Sequence, residues 1–132
     1  MQQHYVSHNI HSYAIEVTFL FNQTTGRRKI LDFKNLTSDA GVYIDGVTPV
    51  FDPSAVGTFD LNEGAGQLMV WMVTRSASSQ VVEVWANGAR AIVFNDSTAL
   101  ATASVIAGQA RFILFEDDMT TNGAEASGTT RL

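Results

Sequence analysis

The chain has 132 residues, 45% of them hydrophobic, a formal net charge of −5 and no cysteine. That length suits one domain, and the apolar content supports a core without covalent staples. The missing cysteines exclude disulfides, thiolate-bound zinc, iron–sulfur clusters and cysteine nucleophiles. The single basic run, Arg27-Arg28-Lys29, falls short of a nucleic-acid footprint, which needs several phosphate contacts on one face.

Residues 1–12 are polar, carry three histidines and show no sustained period, so they read as an N-terminal arm. No apolar run approaches the roughly 20 residues that span a bilayer. From Tyr13, apolar residues alternate through Ile15, Val17, Phe19 and Phe21, the pattern of a half-buried strand. Residues 22–26 form a turn, with Arg27-Arg28-Lys29 read as the solvated end of the hairpin behind it. Extended chain follows to Leu36, with Leu31 and Phe33 inward. Asp45-Gly46 between β-formers signals a tight hairpin, and Pro49 places its strand at an edge or ends it. Residues 56–61 form a short strand closed by a turn at 62–66.

The segment 67–74 is apolar at successive positions, which predicts a mid-sheet strand covered on both faces. Asn87-Gly88 is the clearest hairpin turn in the chain. A two-residue loop there sets the register by arithmetic. Val82, Val84, Ala91 and Val93 then share an aliphatic face that belongs in a core. Glu83, Trp85, Arg90, Ile92 and Phe94 share the other face, with Trp85 and Arg90 opposed as a cation–π pair. Residues 96–108 read as a loop with a short strand, and 111–116 as the last strand. The Thr-, Gly- and Ala-rich stretch 119–132 reads as a flexible tail. The expected architecture is all-β: an antiparallel β-sandwich or small barrel of about eight strands over 13–118, with arms at 1–12 and 119–132.

Candidate chemistry is sparse. His4, His8 and His11 all lie in the arm with no carboxylate held near them by sequence, so they are read as uncommitted rather than metal-binding. Glu116-Asp117-Asp118 is the densest acidic run but lacks the spaced oxygen ligands of a calcium loop, and reads as a solvated strand end. Residues 62–67 are Gly-rich without a phosphate-loop lysine. No G-x-S-x-G elbow is present. The reading is therefore no catalytic, cofactor or metal site. The candidate functional residues are Glu83, Trp85, Arg90, Ile92 and Phe94, a face that reads either as an interface or as a second core covered by another layer.

The cysteine-free strand region Tyr13–Phe21, the hairpin region 67–94 and the Thr/Ala/Gly-rich end 120–132 together resemble small bacteriophage or prophage virion proteins: head decoration, baseplate or tail-fibre β domains. The resemblance is one of general character. It implies a non-enzymatic structural part present in many copies, a homo-oligomer such as a trimer, meeting other virion proteins. The polar N-terminal stretch without a targeting pattern, the lack of a membrane-length apolar run and the small basic run lead separately to the expectation of synthesis as a soluble cytoplasmic protein with no nucleic-acid or membrane partner. Two alternatives accompany the resemblance. One is a lectin-like carbohydrate-binding sandwich using Trp71, Trp85, Tyr13 and Tyr43. The other is a small hydrolase with a carboxylate pair.

Overall fold

The computed structural model describes residues 11–21, 25–61 and 67–116, together with the backbone of 130–131. Strands, in chain order, are β1 (Tyr13–Phe21), β2 (Arg27–Asp32), β3 (Gly41–Asp45), β4 (Thr48–Asp52), β5 (Ala55–Val56), β6 (Met69–Arg75), β7 (Val81–Ala86), β8 (Ala89–Asn95), β9 (Ser104–Ile106), β10 (Gln109–Arg111), β11 (Ile113–Leu114) and β12 (Thr130–Arg131). They form a first sheet in the order β12-β1-β6-β7-β8, a second in the order β11-β2-β3-β4-β5, and a separate β9–β10 hairpin. Every pairing is antiparallel. The expected sandwich is what forms, though its strands are shorter and more numerous than eight.

Strand β1 shows why the sheets pack. Tyr13, Ile15, Val17, Phe19 and Phe21 are buried while Ala14, Glu16 and Thr18 are exposed. Successive side chains on a strand point to opposite faces, so one apolar alternation commits the whole strand to one core-facing side. Met69, Trp71 and Val73 extend that surface on β6, and Val82, Val84 and Ala86 on β7. Leu31, Val42, Ile44 and Phe51 of the second sheet close over it. Aromatic pairs stitch the two layers: Phe51 meets Phe94 at 4.7 Å between ring centroids, and Tyr13 meets Phe33 at 6.0 Å. Such pairs contribute about 0.5–1.5 kcal/mol each beyond their burial.

Strand β6 lies mid-sheet as expected, but only one of its faces is covered. Leu68 and Val70 stay exposed because no second layer lies over that side among the described residues. Strand β4 runs through Pro49 rather than ending there, since β5 is too short to pair opposite it and the Pro49 carbonyl instead accepts from Gly57 N at 2.7 Å. The turn after β3 uses Gly46-Val47, one residue later than Asp45-Gly46. Asp45 pairs with Thr48, and Gly46 takes φ 61° at the first loop position. The expected strand at 56–61 is reduced to Ala55–Val56, and the chain beyond it caps the β8 edge through Thr58 N to Ala91 O at 2.9 Å. The expected last strand 111–116 is broken: Arg111 closes β10, Ile113–Leu114 join the second sheet, and Phe115 turns out of register at φ 61°. Part of the expected tail pairs with β1, Thr130 opposite Phe21 and Arg131 opposite Leu20.

The basic run is not a solvated end. Arg28 and Lys29 are buried. Arg28 faces the core opposite Ile44, lies 4.9 Å from the centre of the Phe21 ring and donates to the Gly46 carbonyl at 2.5 Å. The Lys29 ammonium sits 2.7 Å from Asp32 Oδ1. In a regular strand, residues three apart point to opposite faces. The bulge between Lys29 and Leu31 inserts one residue and returns Asp32 to the side of Lys29. Close approach at Gly41 completes the fit: a Cβ there would lie 2.3 Å from Leu31 O and 2.8 Å from Lys29 Cε.

Candidate interaction face

The outer face of the first sheet is built by register. Glu16 pairs with Met72, Met72 with Trp85, and Trp85 with Arg90, so these four side chains form one row across β1, β6, β7 and β8. A second row runs Ala14, Thr74, Glu83, Val93. A third begins Thr18, Val70 and reaches Asn87, which ties into β6 by Asn87 N to Val70 O at 2.8 Å and Val70 N to Asn87 Oδ1 at 2.9 Å. Val70 is 40% and Val93 50% exposed, while Met72 and Trp85 are half-buried. The inner sides of the same strands already hold the core, so this apolar surface is surplus to folding.

The β7–β8 hairpin places part of the expected interface here and withdraws the rest. Asn87 (φ 51°) and Gly88 (φ 84°) form the two-residue turn, with Ala86 opposite Ala89 and Trp85 opposite Arg90 as expected. A bulge then intervenes between Val84 and Trp85, so Val84 faces Ile92 rather than Ala91. Ala91 and Ile92 both turn inward, and every later residue changes side. Ile92 is therefore a core residue at 2% exposure, Phe94 packs on Phe51, and Val93, expected in the core, faces out. Glu83, Trp85 and Arg90 remain on the outer face. Arg90 does not stack on Trp85. Its Nη1 donates to Glu83 Oε2 at 3.3 Å.

Glu16, Met72, Val70 and Val93 belong to the face and were not among the expected residues. The strand periods of β1 and β6 put these side chains on one side of each strand. Which strands are neighbours is a long-range fact that no local pattern carries. Of the aromatic residues considered for a glycan platform, Tyr13, Tyr43 and Trp71 are buried and only Trp85 lies on this surface.

A second cluster of polar groups lies at the loop 96–103. The Asp96 carboxylate accepts from Leu100 N (2.8 Å), Ala101 N (3.0 Å) and Arg75 Nε (2.9 Å). Arg75 Nη1 donates to the His11 carbonyl at 2.7 Å. Lys34 Nζ donates to the carbonyls of Ala99 (2.8 Å) and Thr102 (2.9 Å), and the Tyr13 hydroxyl to that of Ala101 at 2.5 Å. Asp96 begins a tight loop, as expected for 96–108, because its oxygens cap amides four and five residues on, after Ala99 has entered the left-handed region (φ 57°). Burial raises the Tyr13 phenol far above its ordinary range, with Arg75 opposing and Asp96 adding to the shift. Burial lowers the Lys34 ammonium, with Asp96 opposing. These groups spend their hydrogen bonds on the fold.

Among the described residues, no three of His, Asp and Glu are placed to hold a metal ion. His4, His8, Asp117 and Asp118 lie outside the described residues, and Glu116 is exposed. No helix among the described residues is long and apolar enough to cross a membrane.

Fold and face together define the class: an all-β antiparallel sandwich with one sheet whose outer surface is part apolar and uncovered by any described residue. In comparisons with protein families, curated proteins and solved structures, the chain has no significant match.

Proposed function

We propose that the chain is a non-enzymatic structural protein of a bacteriophage virion, a capsid decoration or tail component, acting through protein–protein contacts on the outer face of the first sheet. The observation that carries the contact role is the Glu16-Met72-Trp85-Arg90 row with Val70 and Val93 beside it. Half-buried Trp and Met flanked by exposed valines and rimmed by charges have the make-up of a binding patch. The virion setting rests on the general resemblance to small phage β domains.

The test is gradient sedimentation of particles from a producing culture, with the chain quantified by mass spectrometry. The expected result is many copies per particle for the wild-type chain. Trp85→Glu, with an unchanged melting temperature, stays in the light fractions. Absence of the wild-type chain from every particle fraction overturns the reading.

A further inference from the structure

The charges on the outer face make it complementary to itself. Along the row Glu16-Met72-Trp85-Arg90 the acidic end lies on β1 and the basic end on β8. Three inter-strand spacings separate them, about 14 Å. Both end residues are exposed. Glu16 has no ion-pair partner among the described residues. Arg90 has given one N–H to Glu83, and a guanidinium carries five. Between the charged ends lie Met72 and Trp85, an adaptable thioether beside a rigid aromatic ring.

We propose that this face docks a second copy of the same chain about a two-fold axis, resting on the reading of the face as a protein contact. Sheets that pack face to face in aligned fashion keep their strands within about 30° of one another. A two-fold relating two such sheets lies in the interface and runs either along the strands or along the row. With the axis along the row, Glu16 meets Glu16 of the other copy and Arg90 meets Arg90, both repulsive. With the axis along the strands, between β6 and β7, each copy reverses the row order of the other. Glu16 then faces Arg90 of the second copy at both ends, and Met72 faces Trp85 twice.

The second row is compatible with the same axis. Reversal sets Ala14 against Val93 and Thr74 against Glu83, so no like charges meet. An isologous contact of this kind satisfies each charge with its opposite in a single operation. It also covers Val93 and the Trp85 ring without any new element. The patch is small beside the standard interface of about 800 Å² per partner, so the expected association is weak, with a dissociation constant of about 10–100 µM.

Charge exchange is the test, read by sedimentation equilibrium on the purified full chain. Glu83→Gln serves as the background, because a glutamate introduced at position 90 would otherwise sit against Glu83. On that background, Glu16→Arg alone and Arg90→Glu alone are each expected to weaken dimerisation about tenfold or more, since both ends of the row become repulsive. The two together restore it to within about threefold of the background, because the pairs re-form with reversed polarity. Melting temperatures of all variants establish that each is folded.

A wild-type chain that stays monomeric up to about 1 mM overturns the self-docking. So does a dimer that neither single reversal weakens, or a double variant no tighter than the singles. A purified monomer whose Trp85→Glu variant still drops out of the particles separates the two ideas: self-docking falls, and the virion contact stands.

Discussion

Arg75 and Asp96, 21 positions apart, meet through a 2.9 Å bond from Nε to Oδ2, with both side chains almost wholly shut off from solvent. The pair joins the end of β6 to the loop that leaves β8, and the same carboxylate caps two loop amides. Removing one partner leaves a buried charge uncompensated. Asp96→Ala is therefore expected to lower stability by about 3–5 kcal/mol, measured by urea unfolding. Substitution of its exposed neighbour Ser97 is expected to stay within about 0.5 kcal/mol.

The bulge in the β7–β8 hairpin has a mutational signature. Ile92 is in the core and Val93 is half exposed. Ile92→Ala should cost about 2–4 kcal/mol and Val93→Ala less than about 1 kcal/mol in the same unfolding assay. A regular ladder without the bulge reverses that order, so the two values read the register directly.

The Asn87-Gly88 turn requires two successive residues in the left-handed region. A Cβ at Gly88 would meet open space, so the cost of Gly88→Ala is conformational rather than steric. The expected loss is about 1–2 kcal/mol, seen as a lower denaturant midpoint with an unchanged slope.

Tyr13 couples stability to alkaline pH. Its phenol is buried against the Ala101 carbonyl, and burial raises its folded-state pKa well above the ordinary value of 10.0. Above that ordinary value the unfolded phenol loses its proton while the folded one keeps it. Stability contributed by the neutral phenol is present below pH 10 and falls as pH rises beyond it, by about 1.4 kcal/mol per pH unit for one group. Tyr13→Phe should be less stable near neutrality, having lost a buried hydrogen bond, and should show a shallower decline between pH 10 and 11. Equal slopes for the two proteins refute the assignment.

Much of the fold was legible because it rests on local rules. The alternation in β1 and the turn at Asn87-Gly88 each need only the period of a strand or the φ preferences of two residues. The candidate face was legible in part: Glu83, Trp85 and Arg90 follow from the turn, while Ile92 and Phe94 were misplaced by the bulge. Nothing in the string Ala89-Arg90-Ala91-Ile92 marks an extra residue. The inward turn of Ala91 and Ile92 accompanies Thr58 capping the strand edge and Phe94 finding Phe51, contacts that come from distant parts of the chain.

The amino-acid sequence by itself determined that this protein is all-β, cysteine-free and antiparallel, because alternation and turn chemistry act over a few residues; the choice of a two-sheet sandwich came from the packing. Tertiary structure alone decided that Arg28 and Lys29 are buried, that the Asp96 carboxylate pairs with Arg75, and that Glu16 and Arg90 end the same row. Each of those depends on which strands become neighbours and where a bulge shifts a register by one. Pairing partners are chosen by the whole packed core, and one inserted residue turns every side chain beyond it to the other face.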